Sequence, residues 1–208
     1  MRFGIVVYDD VEPIDIGATY GVLSMARRIE PAIEMFVVAA RAGPIRLAGG
    51  LEMIAHHGFA DCPTADAFIV TGGPGWKREA ANPAMLAFLR SLPHATGVVA
   101  SVCTGAMILA AAGLLDGRQA TTKRAVTAAE IAPIALLREQ YPAVRVVTAP
   151  VVDEGAVVTG GGVSLAIDLT LHLLERLGGP TLAAETARII EYTTARQANI
   201  AAFQTAAH

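Results

Sequence analysis

The chain has 208 residues, of which 53% are hydrophobic and 17% charged, and its mean hydropathy is +0.48. That is too apolar for a disordered chain, long enough to bury a core without disulfides or structural metals, and of a length that favours one domain over two. A formal charge of −3, with no basic run longer than Arg27-Arg28 or Lys123-Arg124, speaks against nucleic acid as the main ligand.

Phe3 to Tyr8 is a continuous β-branched and aromatic run, the pattern of a strand buried on both faces. A helix-length segment follows from Ile14 to Ile29, then a second strand from Ile33 to Ala40. Ile45-Arg46-Leu47 and Leu51 to Ala55 read as a short hairpin around Gly49-Gly50. Ala67 to Val70 is another strand, ending in Thr71-Gly72-Gly73-Pro74-Gly75. Pro83 to Leu92 is helical, Gly97 to Val102 a strand, and Thr104 to Leu115 an apolar helix. Ala128 to Gln140 predicts a helix, while Val144 to Val147 and Ala156 to Val158 predict strands. Gly160-Gly161-Gly162 opens a long helix from Val163 to Leu177, and Pro180 to Tyr192 is the last helix expected. Residues 1–192 then form one domain, and 193–208, thinning into Thr, Ala and Gln, a tail. Strands alternating with helices imply an α/β sandwich around a mostly parallel sheet.

Two cysteines, Cys62 and Cys103, exclude a disulfide scaffold and a Cys-rich zinc site. No apolar run reaches transmembrane length, and the first strand is too short for a signal-peptide core. The expectation is a cytoplasmic protein with reduced thiols and no membrane partner.

Active sites of open α/β sheets lie at the carboxyl ends of strands. Ala100-Ser101-Val102-Cys103-Thr104-Gly105-Ala106 puts a nucleophile-capable residue where a strand gives way to a helix. Small residues two positions either side, Ser101 and Gly105, are what a sharp nucleophile elbow needs. The ordinary reading of a free cysteine is a small buried hydrophobe; this placement favours function for Cys103 and a structural role for Cys62. A sulfur near a helix start is expected to favour thiolate. Gly72 and Gly73 lie at the neighbouring junction, where bare N–H groups could face an anionic centre. At the first junction Asp15 sits between Ile14 and Ile16. It is either a helix N-cap or a half-buried acid with a raised pKa. The histidines (His56, His57, His94, His172, His208) avoid these junctions and show no metal-ligand spacing, so no metal is expected. His172, four residues after Asp168, reads as its intrahelical partner. No dinucleotide or phosphate-loop glycine pattern occurs, and no cofactor is expected.

In order along the chain, these residues resemble the ThiJ/PfpI superfamily, with its flavodoxin-like, class I glutamine-amidotransferase-like fold. The resemblance runs through Asp15, Phe59 to Pro63, Gly72-Gly73, the elbow, Ala112 to Thr122, Thr159 to Gly162 and Asp168. Val102 to Gly105, Asp15 and Ala120-Thr121-Thr122 look most like isonitrile hydratases, and also like amidotransferase-like domains fused to AraC-type regulators. The resemblance implies Cys103 as nucleophile and Asp15 as the acid beside it. It also implies an oxyanion hole from the Gly73 and Thr104 amides, with the Thr104 hydroxyl bonding near the sulfur. Peptidase- and deglycase-like members carry His where this chain has Thr104, and the closest relatives carry His-Trp where it has Lys123-Arg124. About 30 residues follow the long helix, too few for the DNA-binding units of an AraC-type protein.

The expected function is an isonitrile-hydratase-like lyase, in which Cys103 and Asp15 share one proton and convert a small-molecule isonitrile to an N-substituted formamide. The alternative is a regulatory or redox-sensing protein without turnover. A homodimer is expected in either case.

Overall fold

The continuous apolar runs become inner strands of one sheet, and the helix-length segments become the layers that cover it. In chain order the elements begin with β1 (Arg2–Val6), α1 (Pro13–Ile16), a π-helical turn (Gly17–Gly21) and α2 (Val22–Ala26). There follow β2 (Glu34–Val38), β3 (Gly43–Arg46), β4 (Glu52–Ala55), β5 (Ala65–Val70), α3 (Trp76–Glu79) and α4 (Pro83–Ser91). Next come β6 (Thr96–Ser101), α5 (Gly105–Ala111), β7 (Gln119–Ala120), α6 (Pro133–Gln140) and β8 (Arg145–Val146). The chain closes with β9 (Val151–Asp153), β10 (Val157–Gly160), α7 (Leu165–Gly178), α8 (Pro180–Ile189) and α9 (Thr193–Thr205). This computed structural model describes residues 1–94 and 96–205, without the side chains of 94, 96, 204 and 205. His208 and the His94 side chain, both named above, lie outside the described residues.

The main sheet has the order β2-β1-β5-β6-β10-β9. All its pairs are parallel except β10 with β9, which runs Val158 against Asp153 and Gly160 against Val151. The fold is therefore α/β and flavodoxin-like, as expected. Phe3, Ile5, Ala67, Ile69, Val70 and Ala100 are wholly buried, which is why β1, β5 and β6 carry unbroken apolar runs rather than alternation. α5 is apolar on every side because it is buried on every side, from Gly105 to Ala110. α4 starts where Asn82 accepts the Ala84 N–H and Pro83 occupies the first helical turn.

Several elements depart from expectation, the short α3 and β7 and the π-helical break in the first helix among them. α6 begins at Pro133, not Ala128; the residue before a proline is pushed out of helical space, and Ala132 has ψ 128°. β9 is too short for its period to show, yet it closes the sheet edge antiparallel. The segment after Tyr192 forms α9, held by Asn199 Nδ2 donating to Asp168 Oδ2 at 2.9 Å and by buried Phe203 under the Arg124 guanidinium. His172 pairs with Asp153 Oδ2 across to β9 at 2.7 Å, not with Asp168, whose carboxylate takes the hydroxyl of Tyr192 instead. Among the described residues no helix is long and apolar enough to cross a membrane.

Candidate active site

Cys103 lies between β6 and α5 at φ +53°, a left-handed backbone that a non-glycine residue adopts only when its surroundings impose it. Those surroundings are visible. Its N–H donates to Gly161 O at 2.9 Å, and its carbonyl accepts from Thr122 Oγ1 at 2.6 Å. Gly105 lets the turn press against β5, since a Cβ there would collide with the Val70 carbonyl oxygen. Ser101 is wholly buried, and its Oγ has no hydrogen-bond partner.

Asp15 reaches the same point from α1. The helix N-cap is Glu12, so Asp15 is not a cap. Its carboxyl is wholly buried, and Oδ2 accepts the Gly72 N–H at 2.8 Å from the loop after β5. Oδ1 is buried with no hydrogen-bond partner, while Asp15 and Cys103 act electrostatically on one another. Burial pushes this carboxyl from its usual range up to about 7, against the opposing Gly72 hydrogen bond. Glu12 adds to the rise, and Lys123 and the Cys103 side chain work against it.

Burial also pushes the Cys103 thiol up to about 12, with the Asp15 charge adding to the effect. The N–H groups of Val163 and Thr104, and the charge of Lys123, favour the thiolate without overcoming desolvation. The expectation of a resting thiolate is thereby corrected: at neutral pH the pair is a thiol beside a carboxyl poised to titrate. Cys62 has no such company. Half-buried, its thiol stands at about 11 through burial and Asp61, and it points to its neighbour's carbonyl.

The glycines act as spacers more than as donors. A Cβ at Gly72 would lie 2.5 Å from Thr104 N and 2.7 Å from Cys103 Cβ, so the two junctions touch only because Gly72 is bare. Gly73 has φ +148°, and a Cβ there would strike the Asp10 carbonyl oxygen. The Gly73 N–H donates to Thr104 Oγ1 at 2.9 Å, and the Gly72 N–H is taken by Asp15. Neither amide faces an open oxyanion position, and the Thr104 hydroxyl is turned to Gly73 rather than to the sulfur. The backbone donors serving Cys103 are those of Thr104 and Val163.

Two contributors were missed in the sequence. Val163 stands at φ +58°, strained for a β-branched residue, and this turns its N–H toward the sulfur. Tyr8 is buried behind the site, where its hydroxyl donates to Thr71 O at 3.0 Å and bonds with the Thr104 side chain. The signal for Tyr8 was a lone hydroxylated aromatic ending an otherwise apolar strand run. Asp168, by contrast, belongs to the anchorage of α9 and not to this site.

Cys103 and Thr104 open into a cleft of about 1280 Å³, with Trp76, Ile131 and Leu136 among its apolar walls and Lys123 beside the thiol. No group of three or more His, Cys, Asp or Glu side chains fit to hold a metal occurs among the described residues.

The model of the DJ-1/PfpI family matches residues 1–176. The chain is 30% identical over 197 residues to the isonitrile hydratase of Pseudomonas putida, covering 94% of this chain and 80% of that one. It is 31% identical over 150 residues to the HTH-type transcriptional regulator CdhR of Pseudomonas aeruginosa, 72% of this chain but 42% of the regulator. A ThiJ/PfpI family protein from Pseudomonas syringae superposes with a TM-score of 0.77 at 24% identity, over 92% of this chain and 75% of that one.

Proposed function

The chain belongs to the DJ-1/PfpI family, and from that premise we propose that it is an isonitrile-hydratase-like lyase, adding water to R–N≡C to give an N-substituted formamide. The observation that carries this reading is the buried Cys103–Asp15 pair, with Thr104 in place of a histidine base. An isonitrile requires a nucleophile and a proton on the same terminal carbon, and this pair holds both. As the sulfur bonds to that carbon, the Asp15 carboxylate takes the thiol proton and delivers it to the same carbon, leaving a thioimidate R–N=CH–S. Asp15, again ionised, then deprotonates a water that adds to the thioimidate carbon and passes that proton to the nitrogen. The carbon–sulfur bond breaks, the thiol recovers its proton, and the formamide departs.

The test is incubation with a simple alkyl isonitrile and detection of formamide by NMR. Mass spectrometry of the intact protein seeks the thioimidate, whose absence during turnover would assign Cys103 to positioning and Asp15 to direct activation of water. No turnover across alkyl and aryl isonitriles would sink the lyase and leave the regulatory reading. The similarity to a transcriptional regulator and the resting thiol favour that second reading.

A further inference from the structure

The chain spends its cations unevenly: 14 arginines and only two lysines, Lys77 and Lys123, and both lysines line the cleft above Cys103. Among the described residues six of the arginines pair with acids, as Arg2 does with Glu34 and Arg196 with Glu175. Among the described residues neither lysine makes an ion pair within 4.0 Å.

Lys123 is held by more than its own chain. Thr122 beside it is bonded to the Cys103 carbonyl, and the Lys123 carbonyl accepts the Ile134 N–H at 3.0 Å. Its stem rests on Gly162, where any Cβ would come within 2.6 Å of Lys123 Cγ. Lys77 lies over the Trp76 ring, 5.8 Å from its centre. Two acids share the cleft. Glu130 is engaged by the Thr127 N–H and hydroxyl, both at 3.0 Å, and Glu12 acts on Asp15 rather than on the sulfur. Lys123 acts electrostatically on Asp15, Glu130 and Cys103, yet among the described residues no carboxylate closes on its ammonium within 4.0 Å, and it is the cation whose charge reaches the thiol. The rest of the lining is largely apolar, and Ile131 within it leaves 68% of its surface uncovered.

We propose that this cleft selects molecules bearing a carboxylate on an apolar body, and that Lys123 receives the carboxylate. Resting on the lyase reading, the substrate class is then isonitriles that carry a carboxylate. A partly buried ammonium discriminates an anion from a neutral isostere, while the uncovered apolar lining supplies affinity without regard to charge.

The test uses 3-phenylpropanoate and 3-phenylpropanamide, bound by calorimetry to the wild type, K123M and K123R. The acid should bind the wild type about fivefold more tightly than the amide, as for a partly exposed ion pair. That ratio should fall to about one in K123M and persist in K123R. An amide that binds as well as the acid, an unchanged ratio in K123M, or no binding of either compound overturns the proposal. Because no isonitrile enters this measurement, an intact ratio without formamide production counts against the lyase reading alone.

Discussion

At the scale of single residues, Cys103 and Asp15 behave as one unit with one working proton. A carboxyl at about 7 and a thiol at about 12 leave the pair singly protonated between those values. We expect kcat/KM for an isonitrile to rise about tenfold per pH unit below 7 and then to level, and Asp15→Asn to lower the plateau by roughly 10²-fold and abolish the rise. A flat profile in the wild type would remove Asp15 from the chemistry. The same carboxyl leaves a mark on stability. Its folded value is raised above 3.8, so between pH 4 and 7 the unfolded chain loses a proton that the folded chain keeps, and stability falls as pH rises through that window. Asp15→Asn should therefore gain on the wild type by roughly 3 kcal/mol between pH 5 and 8 in urea unfolding. Cys103→Ala should abolish turnover while leaving the melting temperature unchanged or higher, because the φ of +53° is held against preference.

At the scale of elements, the site is a contact between strand–helix junctions. Gly72→Ala would push a methyl into the Thr104 amide and the Cys103 side chain, backbone that cannot swing aside. The expected cost is about 3 kcal/mol, with loss of activity, measured by thermal unfolding and turnover together. The elbow was legible because Ser101 and Gly105 are small where a sharp turn needs smallness, and Asp15 because an acid between two isoleucines demands a reason. The role of Val163 was hidden, since its N–H is aimed by a φ that sequence patterns assign to glycine. The direction of the Cys103 shift was also hidden: local sequence shows the helix start, while desolvation depends on everything packed above it. α9 escaped notice because its hold on the molecule comes from Asp168, Arg124 and Glu175, distant in sequence. Asp168→Ala should speed hydrogen exchange along α9 while formamide production continues; loss of turnover instead would place Asp168 in the site.

At the scale of the whole molecule, Leu51 and Ile54, which do not line the cleft, leave much of their apolar surface uncovered. We expect a homodimer with twofold symmetry, the default for such chains. Light scattering at micromolar concentration should give twice the 21.6 kDa of the chain, and the monomer mass would refute the pairing.

The strand order has a further consequence for how the protein is made. β6 ends just before the elbow, and its outer neighbour β10 arrives more than fifty residues later in synthesis. Until then a nascent chain carries β6 as an open sheet edge, with the Cys103 N–H lacking the Gly161 carbonyl and the sulfur lacking the Val163 amide. The interval between β6 and β10 leaving the ribosome is thus the period in which this protein is most open to aggregation and to adventitious capture of its thiol. A ribosome stalled within that interval should yield a chain that chaperones retain and iodoacetamide labels.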